Sequence, residues 1–453
     1  MVNARQDGAG IAPVQGKARI EVLDVLRGLA ILGILFINVP YMAAPVAKFA
    51  SDVRSIGWTG ADQVAWSIQY LFWSGTQRCV LQFLFAAGMM VIAQKAMTPE
   101  GPVAVSDLYY RRNLWLLGFG LVDVFVLLWP GDILHIYALA ALFLFPFRRL
   151  SPKWLLALGM IWPVMAAVGI PEYGVREYAE RTALIQRVDG VAAKLHAGAT
   201  LQPGDRAAIA DWRDQLAKIE PGAATAQRIA DEQRAHAGGV VSYVKHQWKV
   251  WEGLVSDWLV WAVLEAWCTM MIGVALWKWG VIQGRRDRRF YLALLAGGYG
   301  IGLTLRGIGL SEELAFSPGA KTIWFTGEFA RIAIGLGHVG LVNFAMQTRA
   351  GRAVLEPFKA TGRMAFSLYF LQQFIGMWLL FSPFGLLKWG QVGWATTTGI
   401  ALAIIAFEVL LANLWLRVFT NGLLEWAWRS LSYLRWMPLR RPRAADAGVP
   451  AAA

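Results

Sequence analysis

Ten apolar runs alternate with polar connections along the chain, at roughly 22–42, 76–94, 112–129, 132–147, 154–170, 254–279, 290–310, 322–346, 364–382 and 394–418. Most approach the roughly 20 apolar residues that cross a bilayer as an α-helix. The expected fold is all-α, a polytopic membrane bundle of about ten transmembrane helices. One polar block interrupts the series. From about Pro171 to Trp248 the chain is rich in Ala, Arg, Asp, Glu and Gln, with the periodicity of short helices such as Arg206 to Ile219, and it reads as one helical extracytoplasmic insertion acting as a lid or spacer. Gly57 to Gly75 is too polar and too short for a span, and reads as an outer-face amphipathic or re-entrant segment with Asp62 turned to a cavity. The expected division is a flexible cytoplasmic tail over 1–18, a bundle of about five spans over 19–170, the insertion over 171–248, a second bundle of about five spans over 249–420, and an interfacial basic tail over 421–453.

Composition agrees with this pattern. Of 453 residues, 57% are hydrophobic and 16% charged, the balance of a membrane protein rather than a soluble domain. The 23 tryptophans suit it as well, because indole rings gather where lipid meets water. A net charge of +13 raises nucleic acid as a partner, but the basic residues form short clusters between apolar runs, which is topology and not a binding stripe. Lys17 and Arg19, Lys95 with Arg111 and Arg112, Arg148 with Arg149 and Lys153, Arg285 to Arg289, Arg349 with Arg352 and Lys359, and the tail arginines all fall in alternate connections. Ten spans then place both termini in the cytoplasm of a bacterial inner membrane. The tail, with Arg429, Arg435, Arg440, Arg441 and Arg443 among Leu and Trp, suits an anchor on the anionic inner leaflet. Cys79 and Cys268 lie within apolar runs, so neither a disulfide framework nor a metal site is expected. No small-residue cleavage signal follows the first run, which is expected to stay as a signal-anchor helix.

Chemistry is sought where charge enters the apolar runs. An ionised side chain at a helix centre costs roughly 2.5 to 3.5 kcal/mol on insertion scales, so such groups line polar cavities by default. The first run carries Asp24 and Arg27 at its entrance, three apart and on one face, with Asn38 near its far end. From Arg27 to Asn38 is about three turns, so both lie near one stripe, roughly 16 Å apart along the axis. A second candidate is WPGDILHIYAL, Trp129 to Leu139, a tight turn into a helix. Asp132 is placed to cap that helix, and His135, one turn on, is placed to act as a general base that Asp132 orients.

Further intramembrane polar residues are Asp123, Asp257, Glu265, Arg306, Glu328, Arg331, His338, Glu408 and Asn413. Glu328 and Arg331 are spaced for an internal ion pair, and a lone His such as His338 is more often a hydrogen-bonded packing residue than a catalyst. Arg363 opens the ninth run, where snorkelling competes with phosphate binding in company with Arg27. No Walker loop, GxSxG elbow or HExxH is present.

These pieces resemble the YeiB family of bacterial inner-membrane proteins over nearly the whole chain. LDVLRGLAILGILFIN at Leu23 to Asn38, FLFAAGM at Phe83 to Met89, WPGDILHIYAL, MIGVALWKWGVI at Met271 to Ile282, GRMAFSLYFLQQ at Gly362 to Gln373 and NGLLEWAWRSL at Asn421 to Leu431 carry the likeness, in order. The Asp24-x-x-Arg27-Gly28 opening is in turn similar, distantly, to integral-membrane acyltransferases of the O-antigen and heparan-glucosaminide acetyltransferase types. The O-antigen type places its base at the eleventh position after the Arg, which here is Asn38, an amide that takes no proton at neutral pH. The heparan type has Asn there and draws its His from the following outer loop, where this chain has none between Tyr41 and Gln77. YeiB-like proteins carry a His shortly before the GDIL turn, where this chain has Asp123 and Val124. His135 or His338 is left to supply the base.

The resemblance implies transfer of an acyl group, acetyl first among them, from cytoplasmic acyl-CoA to a hydroxyl or amine at the outer face. Asp24, Arg27, Arg363, Glu328 and His338 would bind donor and acceptor, and Asn38 with Asp132 and His135 would carry the chemistry. Two alternatives stand beside it: a proton-coupled transporter or lipid flippase using the same cavity, and a non-catalytic envelope partner protein. Expected partners are membrane lipid and a small-molecule, lipid or glycan acceptor, with a homodimer left open.

Overall fold

The computed structural model describes residues 20–49, 52–94, 103–219, 222–256 and 258–441. Lys17, Arg19, Lys95, Asp257, Arg443 and the 1–18 tail lie outside them. Every described element is a helix, and a single isolated bridge, Phe419 to Arg440, is the only β pairing among the described residues. The chain opens with α1 (Glu21–Gly33) and α2 (Leu35–Ala43), which continue one another through Ile34 in helical geometry. After the short α3 (Val46–Phe49) come α4 (Gly60–Phe72) and α5 (Thr76–Ala93), broken only at Gly75, whose φ of +72° is left-handed. Glycine adopts that geometry without a steric penalty.

Next come α6 (Val103–Val122), a π-helical turn at Asp123–Leu127, and α7 (Leu134–Leu142). The pair α8 (Pro152–Gly159) and α9 (Ile161–Val168) completes the first half. The polar block folds as α10 (Val175–His196), α11 (Pro203–Ile219), α12 (Ala223–Ala237) and α13 (Gly239–Ser256). The remainder is α14 (Leu259–Lys278), α15 (Arg288–Leu314), α16 (Ile323–Met346), α17 (Arg349–Arg363), α18 (Ala365–Gln373), α19 (Trp394–Val418) and α20 (Leu423–Tyr433).

Among the described residues six helical units are long and apolar enough to cross a membrane: Glu21–Ala43, Gly60–Ala93, Leu259–Lys278, Arg288–Leu314, Ile323–Met346 and Trp394–Val418. This is a helical membrane protein, with six such units where the sequence pattern offers ten apolar runs. The other four runs are interrupted or diluted by charge. The 112–129 run belongs to α6, which begins at Val103 and carries Asp107, Arg111 and Arg112 before its π turn. The 132–147 run holds only the nine residues of α7, stopped where Pro146 opens a 3-10 turn. Pro152–Val168 and Ala365–Leu380 are apolar but between ten and seventeen residues long. Gly57 to Gly75, in contrast, contains α4, which joins α5 in one apolar unit.

Burial orders the bundle. The most apolar window of Glu21–Ala43 is 78% buried within the protein and that of Arg288–Leu314 only 17%, so α1 and α2 form the centre and α15 the rim. The two halves of the chain interlock around that centre, with α1 on α17, α2 on α19, and α5 on both α14 and α16. Where α1 meets α17 the backbones nearly touch: a Cβ on Gly362 would stand 1.7 Å from the carbonyl oxygen of Asp24. Only glycine permits that crossing, which fixes how far α1 penetrates the bundle and where Asn38 stands.

Candidate functional site

The turn before α7 builds the first half of the site. Asp132 accepts the backbone N–H of His135 at 2.9 Å through Oδ2, the N-terminal cap that its position promised. The same oxygen lies 2.7 Å from His135 Nδ1, and Oδ1 accepts the hydroxyl of Tyr369 from α18 at 3.1 Å. Asp132 and His135 are 1% and 3% exposed, so this arrangement is rigid and shielded from water. With Nδ1–H donating to the carboxylate, Nε2 carries the free lone pair. Among the described residues Nε2 has no hydrogen-bond partner, and the His135 side chain forms part of a cavity wall. Asp123, fully buried, faces Asp132 from the π turn behind it.

The cavity has a volume of about 800 Å³. Its walls are mainly apolar, with Ile34, Ile37, Trp162, Leu254 and Ile323 among them, and Asn38 of α2 joins Asp132 and His135 on the polar side. A second polar group is gathered at the α4–α5 break. Arg331 of α16, 2% exposed, donates to Glu328 Oε2 from Nε at 2.9 Å and from Nη2 at 2.7 Å, and its Nη2 is 2.7 Å from Glu265 of α14. It also donates to Thr269 at 3.0 Å and to Gln82 at 3.3 Å. Arg306 of α15 donates to the carbonyls of Tyr70 and Ser74, at 3.1 and 2.7 Å, at the C-terminal end of α4. Arg78, in the first turn of α5, reaches only to 3.8 Å from Glu265. Arg78, Arg306, Arg331 and Glu328 all line the cavity.

The residues singled out in the sequence thus separate into two places. Asn38, Asp132, His135 and Glu328 share the cavity, and the spaced pair Glu328–Arg331 is an ion pair. Asp24, Arg27, Arg363 and His338 do not line it. Arg27 pairs with Asp24 at 3.0 Å and reaches the carbonyl of Gly362 at 3.4 Å, and Arg363 donates to the carbonyl of Thr420 at 2.8 Å, so all three lie at the α1–α17 crossing. His338 lies 2.7 Å from the hydroxyl of Tyr299, between α16 and α15. Asp62 is likewise engaged elsewhere: it forms a reciprocal cap with Thr59 and accepts the backbone N–H of Ala395 at 2.9 Å, which ties α4 to α19.

Sequence reasoning passed over Arg78. Its one signal is a polar opening, Thr76-Gln77-Arg78, directly behind a glycine and ahead of an apolar run. Chemically the cavity pairs an oriented imidazole base with amide and guanidinium donors across a largely apolar space. No group of three or more His, Cys, Asp or Glu side chains placed to hold a metal occurs among the described residues.

Known proteins similar to this chain extend the picture along its whole length. The family described as "Protein of unknown function (DUF418)" matches residues 276–435. The uncharacterized protein YxaH of Bacillus subtilis (strain 168) is 30% identical over 445 residues, which is 96% of this chain and 99% of that protein. The uncharacterized protein YeiB of Escherichia coli (strain K12) is 26% identical over 438 residues, 91% of this chain and 96% of that protein. A 39.9 kDa protein encoded in the amylase 3' region of Bacillus acidopullulyticus is 22% identical over 437 residues. No solved structure matches. The all-helical bundle and these full-length likenesses agree with the motifs read from the sequence: the chain belongs to the YeiB (DUF418) family of membrane proteins.

Proposed function

We propose that the protein is an integral-membrane acyltransferase that moves an acyl group from acyl-CoA to a hydroxyl or amine acceptor, with His135 as the general base. One observation carries this reading: an imidazole fixed by a buried carboxylate at 2.7 Å, its Nε2 buried and without a partner among the described residues, belongs to a residue that lines a cavity large enough for a substrate. His135 takes the proton from the acceptor hydroxyl or amine as its oxygen or nitrogen attacks the thioester carbonyl. Asn38 donates its amide N–H to the oxyanion that develops there. As the carbon–sulfur bond breaks, His135 returns the proton to the departing thiolate. Asp132 holds the ring and stabilises its protonated form.

In this reading both termini lie in the cytoplasm of a bacterial inner membrane, as the basic clusters suggest, and the cavity would open in the outer half, towards the acceptor side. Acyl-CoA would approach the opposite end, near Asp24, Arg27 and Arg363, with its acyl arm laid along α1 over the roughly 16 Å to Asn38. Glu328 would meet the acceptor across the cavity, and His338 would act only through packing. The test is release of free CoA from a series of acyl-CoA donors by purified protein supplied with lipid and glycan acceptors. Release that depends on protein and acceptor is the expected result; no release with any pair, together with no binding of any donor, would end the proposal.

A second reading draws on the two carboxyl groups of Asp123 and Asp132 that face one another behind His135, an arrangement suited to carrying a proton in transport. Proton-dependent uptake into proteoliposomes that is abolished by Asp132→Asn would favour it.

A further inference from the structure

The α4–α5 break gathers more hydrogen-bond donors than the protein supplies with acceptors. Arg306 is 6% exposed, its two terminal nitrogens are held by the carbonyls of Tyr70 and Ser74, and its Nε has no partner among the described residues. Nε of Arg78 and the hydroxyl of Tyr70 are also buried without a partner among them. All three side chains line the 800 Å³ cavity. They belong to one corner: Tyr70 precedes the break by about a turn, Arg78 follows it by about a turn, and Arg306 is fastened to Ser74 within it. The first turn of α5 adds backbone amides that have no acceptor within the helix.

The carboxylates nearby are already committed. Arg331 takes Glu328 at 2.7 Å and Glu265 at 2.7 Å, and Lys321 takes Glu313, another acid that lines the cavity. Arg78, Arg306 and Arg331 thus gather at this corner with both Glu265 and Glu328 engaged by Arg331, and Arg78 comes no nearer than 3.8 Å to Glu265. Buried donors left without acceptors are costly, and an anion entering the cavity would supply those acceptors. The anion must accept hydrogen bonds from several directions, which a phosphate does with its oxygens and a guanidinium fork matches. The remaining walls, with Ile34, Ile37, Trp162 and Leu254, suit an apolar tail attached to that phosphate.

We propose that this corner, Arg78 and Arg306 with Tyr70 and the first turn of α5, binds the phosphate group of an amphiphilic ligand. The assignment goes beyond acyl transfer and does not depend on it, since a cavity that held such a ligand without chemistry would satisfy it equally. The phosphate belongs either to a lipid headgroup or to a soluble phosphate ester, and the experiment separates these sources.

Purified full-length protein is titrated with phosphatidic acid and with diacylglycerol of the same chains, which differ only in the phosphate, and with glycerol 3-phosphate and inorganic phosphate. Binding is read by thermal shift and by native mass spectrometry. Phosphatidic acid is expected to bind roughly tenfold or more tightly than diacylglycerol. Displacement of the lipid by glycerol 3-phosphate would assign the site to soluble esters, and its failure to displace would assign it to lipid; either supports the corner. The preference is expected to vanish in Arg78→Gln and to survive in part in Arg78→Lys, which keeps the charge but not the fork. Arg306→Gln is expected to act alike, and Arg78, with a side chain 42% exposed, carries the test alone where the Arg306 variant does not fold. Equal binding of phosphatidic acid and diacylglycerol, or a preference unchanged in Arg78→Gln, overturns the proposal.

Discussion

Removal of Arg331 offers the sharpest test of how the cavity floor is held. The guanidinium is 2% exposed and joins three helices, through Gln82 of α5, Glu265 and Thr269 of α14, and Glu328 of its own α16. In Arg331→Met, Glu265 keeps only Gln82 Nε2 at 3.2 Å, Thr269 at 3.5 Å and the distant Arg78 at 3.8 Å. Glu265 has 7% of its side chain exposed, so its charge stays buried; Glu328, at 24%, retains contact with the cavity. Stripping one partner from a buried ion pair costs about 3–5 kcal/mol, mostly the penalty of the charge left behind. Arg331→Met is therefore expected to destabilise by about that amount. Glu328→Gln is expected to cost about 1 kcal/mol, the scale of one hydrogen bond beside water. Adding Glu265→Gln to Arg331→Met removes the stranded charge and is expected to recover about 2 kcal/mol. Denaturant unfolding in mixed micelles, followed by tryptophan fluorescence, reads all four proteins. A cost below about 1 kcal/mol for Arg331→Met, or a further loss on adding Glu265→Gln, would refute the reasoning.

Three further outcomes are expected. Gly362→Ala places a Cβ 1.7 Å from the Asp24 carbonyl oxygen and is expected to lower stability by about 3 kcal/mol or more, whereas Gly297→Ala, in open space on α15, stays within about 0.5 kcal/mol; melting temperatures compare them. Asp62→Ala removes the Asp62 half of the reciprocal cap on α4, the acceptor for the Thr59 N–H, together with the acceptor for Ala395, and is expected to cost about 1–2 kcal/mol in the same measurement. His236 of α12 stacks on Trp389 at 4.2 Å and lies 2.7 Å from the carbonyl of Phe381, and burial holds its imidazole below its ordinary pKa of 6.5. A depressed imidazole stabilises the folded state above pH 6.5 and loses that contribution as pH falls through the window beneath it. Amide exchange of α12, corrected for intrinsic rates, is expected to quicken between pH 7.5 and 5 in the native protein more than in His236→Phe.

What the sequence revealed of the site follows from distance along the chain. Asp132 and His135 are three residues apart where a turn runs into α7, and Glu328 and Arg331 three apart on α16, so their spacing alone announced both pairs. Asn38 was legible from its place far along a polar stripe. Arg27 lies on that stripe too, yet it is turned to Gly362, a neighbour supplied by a helix more than three hundred residues away. Arg78 had no partner at helical spacing; Glu265, 3.8 Å away, comes from α14, and Arg306, which lines the same cavity, from α15, and a lone basic residue at the head of an apolar run reads as topology. Fold class was plain from hydrophobic runs, but the number of spans was not. Apolar length does not reveal a π turn after Asp123 or a break at Phe145, which depend on packing and on Pro146.

The central claim is that His135 is the base of an acyl transfer. Steady-state release of free CoA by His135→Gln, set beside the native protein with donor and acceptor both varied, tests it most directly. The account predicts that kcat falls by about a hundredfold or more while KM for the donor stays within about twofold, since the ring takes the proton in the transition state and does not hold the donor. Turnover in His135→Gln equal to that of the native protein would contradict it.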